Sequence, residues 1–333
     1  MRYFVIGDYT SGTGPANATR ALLSAMPKET LSQSFKNRIL RLIELYIKIP
    51  KADICFLSGH SKQNLHALRI AARHKKPVFF WMHGCVEHEN AINRCPDEDM
   101  NRVERRVLEE CDRILAVSES FEAWLKDNYP RYAGKICCLA NGIFFDGPVS
   151  KKSPAKRDGA CRLVSSGGGM PRKRIAVICR AVEKLNLEGF ECSLKVYGEK
   201  GADSQLIEGA PFTQVMGAVG SEAFFAGLEE SDIYIQNSCF ETFGLAPLEA
   251  LTRGCSLLLS KNIGALGVFS SDSITEGDLI NDTGDADEIA QRIRELWKNP
   301  NHDRLLGAID KENHSWSAVW RNLSKLGDEY IKA

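Results

Sequence analysis

A chain of 333 residues is long enough for about two α/β domains, each closing its own core. Lys plus Arg and Asp plus Glu number 43 each; with zero formal net charge, 44% hydrophobic and 26% charged residues, the balance excludes any global pull toward nucleic acid or membrane. No window approaches 18 uninterrupted apolar residues and the apolar run at residues 3–6 is too short for a signal segment, so a cytoplasmic protein is expected. The eleven cysteines show no paired C-x-x-C elements and read as reduced, mostly buried thiols.

In chain order, strand-like runs at residues 3–7, 54–58, 78–82, 113–117 and 136–139 alternate with helix-length amphipathic stretches, a βαβ rhythm. The rhythm stops between Asn141-Gly142 and Cys161. Residues 146–159 carry two prolines, two glycines and several lysines, and an interdomain linker is expected there. Strands resume at residues 162–165, 193–197, 214–216, 233–236 and 256–259, each followed by helix-length sequence. The fold class is therefore α/β, with two doubly wound parallel sheets. Residues 315–331 space Trp316, Val319, Trp320, Leu323, Leu326 and Tyr330 for an amphipathic closing helix.

Three stretches carry chemistry. Gly12 and Gly14 lie in Ser11-Gly12-Thr13-Gly14-Pro15-Ala16-Asn17, between the first strand and a helical run, where backbone N–H groups can face an anion; a plain strand-to-helix turn is the alternative. A dinucleotide fingerprint fails at Asn17, where its third glycine belongs. His83-Gly84 follows an apolar strand, which puts an imidazole at the carboxyl edge of a sheet; the nearby Glu87-His88-Glu89 lacks the H-E-x-x-H metal spacing, and no metal is expected. The strongest signal is Ser238-Cys239-Phe240-Glu241-Thr242-Phe243-Gly244-Leu245-Ala246-Pro247-Leu248-Glu249-Ala250, directly after a strand. Pro247 suits the first position of a helix and Gly254 its end. Glu241 then falls in the loop and Glu249 in the first helical turn, with Phe243, Gly244 and Leu245 offering close backbone approach between two carboxylates.

These residues resemble glycosyltransferase family 4, retaining enzymes of the GT-B fold whose signature is a glutamate pair separated by seven residues: here Glu241 and Glu249, followed by Gly254 and Asn262-Ile263-Gly264. Ser165-Ser166-Gly167-Gly168-Gly169-Met170-Pro171-Arg172-Lys173 is similar to the family's phosphate-contacting loop, Tyr197-Gly198 to its central strand end, and Val215-Met216-Gly217 to its base-contacting segment. One departure stands out: Gly168 occupies the place of the family's arginine, which implies either that Lys173 keeps its role while Arg172 or Arg174 supplies the second charge, or that donor binding is weakened.

The resemblance implies two Rossmann-like lobes facing each other across a cleft: an acceptor domain at 1–145, a nucleotide-sugar domain at 146–314, and a closing helix at 315–333 packing back on the first lobe. It implies a nucleoside diphosphate sugar, most simply a UDP-sugar, as donor, and a hydroxyl of a glycan or lipid-linked sugar as acceptor, in bacterial surface polysaccharide synthesis. The implied catalytic residues are Glu241 at the donor sugar, His83 and Lys173. Gly12, Gly14, Gly167, Arg172, Lys173, Gly217, Phe243, Gly244, Leu245 and Glu249 would hold the donor, Glu249 through the ribose. Protein cations replace a metal, so metal-independent turnover without a cofactor is expected. An epimerase of the same architecture and a non-catalytic nucleotide-sugar sensor are the rival readings.

Residues 35–51 put Phe35, Ile39, Leu42, Ile43, Tyr46 and Ile49 near one helical face and add Lys36, Arg38, Arg41, Lys48 and Lys51. Such a helix suits either an anionic membrane surface at the inner face of the membrane or an ordinary core-facing position with a basic edge.

Overall fold

The computed structural model describes residues 1–144 and 159–332. The chain forms two compact units, one of Met1–Ala91, Pro96–Ile143 and Lys311–Ala333, the other of Ile92–Cys95 and Phe144–Asp310. The expected linker at 146–159 lies, apart from Gly159, outside the described residues.

The first unit is built on a six-stranded parallel sheet of β1 (Tyr3–Gly7), β2 (Leu31–Ser32), β3 (Ile54–Ser58), β4 (Val78–Met82), β5 (Arg113–Ala116) and β6 (Ile136–Cys138), in the order β2-β1-β3-β4-β5-β6. Every residue of β1, β3 and β4 is buried, as the continuous apolar runs require when helices cover both faces. Gly7 stands opposite Ser58 and Ser58 opposite Trp81, so these strands end level and deliver their loops to one edge. The closing helix, Trp316–Lys332, belongs to this unit: Tyr3 donates its hydroxyl to Leu323 O at 2.9 Å, and Tyr330 donates to Asp112 at 2.9 Å. Gly327 permits that approach, because a Cβ there would lie 2.0 Å from the Tyr3 hydroxyl.

The second unit carries β7 (Cys161–Ser166), β8 (Cys192–Tyr197), β9 (Thr213–Gly217), β10 (Ile233–Gln236), β11 (Ser256–Ser260) and β12 (Leu279–Ile280), ordered β12-β11-β10-β7-β8-β9. Strand order reverses between β7 and β10, so the loops leaving them diverge and open a crevice at their carboxyl ends. The helices Ile175–Leu187 and Ala286–Lys298 close one face of the sheet with Val182, Leu185, Ile289 and Ile293.

Two local expectations change. The helix after β10 begins at Leu245, two residues before Pro247. Gly244, with φ +90°, makes the turn into it, and a proline in the first turn costs nothing because the N–H it lacks has no intrahelical partner. Glu249 is thereby the fifth helical residue, in the second turn. The helix Arg38–Lys48 also faces the opposite way from a core helix: Glu44 and Leu45 are buried while Ile39, Leu40, Ile43, Tyr46 and Ile47 are exposed. Its inward side is polar, with Lys48 paired to Glu44 and Arg41 donating to Gly7 O at 2.9 Å.

Candidate functional site

In the second unit, Glu241 is the centre on which the loops after β7 and β10 converge. Its Oε2 accepts from Lys173 Nζ, from an Arg172 guanidinium N–H at 3.1 Å and from Gln236 Nε2 at 2.9 Å, with only 11% of the glutamate side chain exposed. Burial alone would push this carboxyl up, but the Lys173 charge, followed by that of Arg172, overrides it and holds the group at about 2. The backbone is pinned as well: Glu241 N donates to Asn262 O at 3.1 Å, and Gly264 N donates to Glu241 O at 3.0 Å. Cys239 N donates to Arg172 O at 2.9 Å and ties the two loops together.

The two candidates for the second cation stand in different places. Arg172 joins Lys173 at Glu241, whereas Arg174 is exposed and caps the next helix in the left-handed region at φ 52°.

The glycines of Gly167-Gly168-Gly169 do something other than expected. Their N–H groups do not serve as anion donors: Gly167 and Gly168 donate to Tyr197 O at 2.8 and 2.9 Å, and Gly169 to Glu199 O at 3.0 Å. The residues are small because two backbones meet. A Cβ at Gly168 would fall 2.0 Å from Glu199 O, and one at Gly198 2.5 Å from Gly168 N. Gly167 clears room for Lys173, whose Cγ would be 2.4 Å from an added Cβ. The loop thus shapes the path of one ammonium group, and positive charge at this end of the site comes from Lys173 and Arg172.

Gly244 closes the other side, with Gln236 Nε2 and Glu241 Cγ each 3.3 Å from where its Cβ would be. The helix it starts has no side-chain cap, so first-turn N–H groups from Leu245 onward begin beside the charged cluster. Phe243 has its side chain in the core, at 2% exposure, and leaves only backbone for a ligand. Among the described residues no ion pair reaches the Glu249 carboxyl, and burial pushes it up to about 7 despite Arg253. Both carboxylates act on Tyr234, whose hydroxyl is raised by burial and further by the charges of Glu241 and Glu249. Gly217, at φ +73° with open space where a Cβ would be, ends β9 further along the same sheet.

Sequence reasoning missed a buried polar relay behind Glu241: the Ser166 and Tyr234 hydroxyls lie 2.7 Å apart, and Tyr234 donates to Gln236 Oε1 at 3.1 Å, which orients the amide toward Glu241. Its only sequence signal is the polar residue, Gln236, that ends an apolar strand at the carboxyl edge.

In the first unit, His83, Gly12 and Gly14 share one sheet edge. A Cβ on Gly59 would lie 3.7 Å from the His83 ring and 3.9 Å from Pro15, which brackets the glycine loop against the imidazole. His83 Nε2 is 3.0 Å from Ser58 Oγ, which is 2.7 Å from Thr19 Oγ1, and Thr19 must donate to Pro15 O at 2.8 Å. Counting donors along this chain, Ser58 gives its proton to Thr19 and His83 gives its Nε2–H to Ser58. Burial, helped by His60, holds the imidazole down at about 3, so it is neutral. Gly12 and Gly14 are exposed, and the amides of Thr10 and Ser11 just before them donate to Asp8, which places a carboxylate beside this loop. Glu104, also missed, is fully buried and accepts the Val86 and Glu87 amides at 2.8 and 2.9 Å, fixing the turn that follows His83. Among the described residues no group of three or more His, Cys, Asp or Glu is placed to hold a metal ion.

Two Rossmann-like units, the second with one carboxylate on the loop and one on the helix that follow a strand at its switch point, define the GT-B class of glycosyltransferase. The profile of the glycosyl transferases group 1 matches residues 148–312, and that of Glycosyltransferase Family 4 matches residues 10–145. The chain belongs to glycosyltransferase family 4. Among curated proteins, glycogen synthase of Mycobacterium tuberculosis is 24% identical over 210 residues, 60% of this chain, and the chain spans about half the length of that relative. Among solved structures, Anabaena HepE in complex with UDP and glucose superposes with a TM-score of 0.71 at 11% identity, over 98% of this chain and 99% of that one. Sucrose-phosphate synthase of Thermosynechococcus elongatus follows with a TM-score of 0.67 at 15% identity, over 100% and 99%.

Proposed function

We propose that the chain transfers a sugar from a nucleoside diphosphate sugar, in the first instance a UDP-sugar, to a hydroxyl of a glycan or lipid-linked acceptor, with retention at the transferred carbon and without a metal. The observation that carries this reading is the Lys173–Arg172–Glu241 cluster beside the uncapped helix start at Gly244. Two cations and a set of N–H groups suit a diphosphate, and Glu241 shows that both cations can converge on one anionic oxygen. When the donor enters, its phosphates take over Lys173 and Arg172, and Glu241 turns to the hydroxyls of the sugar ring. Glu249, with no cation to hold, accepts hydrogen bonds from the ribose.

Charge develops at two places in the reaction, on the leaving diphosphate and on the sugar ring, and groups preorganised there contribute most. Lys173 and Arg172 meet the first need and Glu241 the second. The bond from the anomeric carbon to the diphosphate oxygen breaks as the acceptor oxygen bonds to the same face, and the acceptor's proton passes to the leaving phosphate. No glutamate nucleophile is required, unlike a retaining glycosidase. His83, neutral and fixed with its Nε2–H toward Ser58, serves the acceptor-side unit as a hydrogen-bonding group rather than an acid. UDP appears in the HepE complexes and UDP-forming trehalose-phosphate synthases are further structural neighbours, which supports uridine as the first base to test. The proposed setting is surface polysaccharide synthesis from the cytoplasmic side of the membrane.

Incubation with a panel of UDP-sugars and glycan acceptors in excess chelator tests the reading. Acceptor-dependent release of UDP and a product of unchanged anomeric configuration are expected. A free epimerised nucleotide sugar made without acceptor, tight binding with no turnover, or a strict need for divalent metal would overturn it.

A further inference from the structure

The helix Arg38–Lys48 turns its apolar residues outward. Ile39 is 71% exposed, Tyr46 54%, Ile47 52% and Ile43 48%, with Phe35 and Leu40 continuing the patch. At 100° per residue these five helical positions span roughly one third of the circumference, and the opposite arc holds Arg41, Glu44, Leu45 and Lys48. That inner arc is satisfied within the fold. Glu44 accepts the Ser34 amide at 2.8 Å and pairs with Lys48, Lys48 also donates to Ser32 O at 2.6 Å, and Arg41 bonds Gly7 O. Exposed isoleucines gathered on one face mark a contact with an apolar partner outside the unit.

Charge selects that partner. Residues 35–51 contain five basic residues and one acid, Glu44, which is buried. Lys36, Arg38 and Lys51 are exposed around the patch with no exposed acid on the segment to oppose them. A second copy of this chain would bring like charges together. An anionic lipid surface offers negative headgroups to the rim and acyl chains to the isoleucines. No helix among the described residues is long and apolar enough to cross a membrane, so contact through this segment is peripheral.

We propose that residues 35–48 dock the first unit on an anionic membrane surface, with Ile39, Ile43, Tyr46 and Ile47 inserted and Lys36 and Arg38 against the headgroups. Arg41 bonded to Gly7 O, and Gln63 Nε2 donating to Arg38 O at 3.3 Å, seat the start of this helix at the carboxyl edge of the sheet. That is the edge that carries Ser58, His83 and the Gly12–Gly14 loop, so docking holds it close to the lipid, where a lipid-linked acceptor would arrive. The docking itself does not depend on the transfer reading.

The test uses the full chain and no nucleotide sugar, so its outcome is separate from that of the transfer assay. The chain is sedimented with vesicles of phosphatidylcholine alone or mixed with phosphatidylglycerol. Binding is expected only with the anionic vesicles, weakening with added salt and falling at least about tenfold in Lys36→Glu/Arg38→Glu, since each basic residue near such a surface is worth about 1 kcal/mol. Ile39→Ser/Ile43→Ser should lose binding by a similar factor. Because all four side chains are exposed, circular dichroism should be unchanged in both variants. Tyr46→Trp reports insertion directly through a blue shift of its emission on anionic vesicles. Equal binding to both vesicle types, indifference to the variants, or a lipid-free dimer that Ile43→Asp dissociates would overturn the proposal, the last by assigning the face to a second copy.

Discussion

Lys173 reaches Glu241 by lying across Gly167, whose φ of +122° and missing side chain leave room for it: a Cβ there would sit 2.4 Å from Lys173 Cγ and 2.8 Å from its Cδ. The glycine acts on chemistry through a neighbour's side chain. Gly167→Ala should therefore fold but misplace the ammonium, reducing transfer by more than about tenfold, as Lys173→Ala should, because one charge-assisted contact is worth roughly 1.5–3 kcal/mol. The double variant should be no worse than Lys173→Ala alone, since both changes remove the same contact. Additive losses would show that Gly167 matters for some other reason.

Arg172→Ala should also weaken donor binding, while Arg174→Ala should leave it within about twofold, because Arg172 stands at Glu241 and Arg174 is exposed. Titration with UDP measures both. The reverse order would move the second phosphate contact to Arg174.

Glu249 gives the site a pH dependence. Burial raises its carboxyl from the ordinary 4.5 to about 7, and the ribose hydroxyls need the ionised form as acceptor. Donor affinity and kcat/KM should fall by up to about tenfold per pH unit below 7. Glu249→Gln should lower affinity and abolish that limb. The same shift has a sign for stability: between pH 4.5 and 7 the unfolded chain releases a proton that the folded chain keeps, so the contribution of this group declines as pH rises through that window and stays low above it. At pH 8 Glu249→Gln should therefore be more stable than the parent by up to about 3 kcal/mol, measured by urea unfolding. A less stable variant at that pH would contradict the buried, unpaired carboxylate.

His83 behaves differently. Held down at about 3, it is neutral from pH 5 to 8 and titrates nowhere in that range. His83→Asn should lower turnover while leaving the pH limb of kcat/KM near 7 in place. Loss of the limb in this variant would transfer it from Glu249 to the imidazole.

The long strands were legible because buried parallel strands read as unbroken apolar runs such as Phe79-Phe80-Trp81-Met82, and the Glu241–Glu249 spacing stood out because it followed one of them. The two-residue edge strands β2 and β12 were not, since so short a pairing has no period to detect. Glycine spacing located the turn at Gly167, but it reads the same whether an amide faces a ligand or the Tyr197 carbonyl. Periodicity likewise gave residues 38–48 an apolar face without a direction: Arg41 and Lys48, expected on a solvated edge, turn inward to Gly7, Ser32 and Glu44. Glu104 was illegible because it works through the Val86 and Glu87 amides, in a turn belonging to another element, and Gln236 left only its polar character at the end of an apolar strand as a signal.

In the proposed mechanism Glu241, paired with Lys173 and Arg172, gives up these cations to the donor's diphosphate and turns to the sugar. Glu241→Gln isolates that exchange when turnover, UDP affinity and thermal stability are measured on the same preparation. Its depressed carboxyl stabilises the fold above pH 4.5, a contribution lost as pH falls toward 2, so at pH 7 the variant loses the ionised carboxylate that Lys173 and Arg172 face and should melt earlier than the parent. Saturating UDP should restore more of that loss than it adds to the parent, because the diphosphate replaces the missing charge. Affinity for UDP should stay within about tenfold while transfer is abolished. Wild-type turnover, or a UDP-induced shift no larger in the variant than in the parent, would contradict the account.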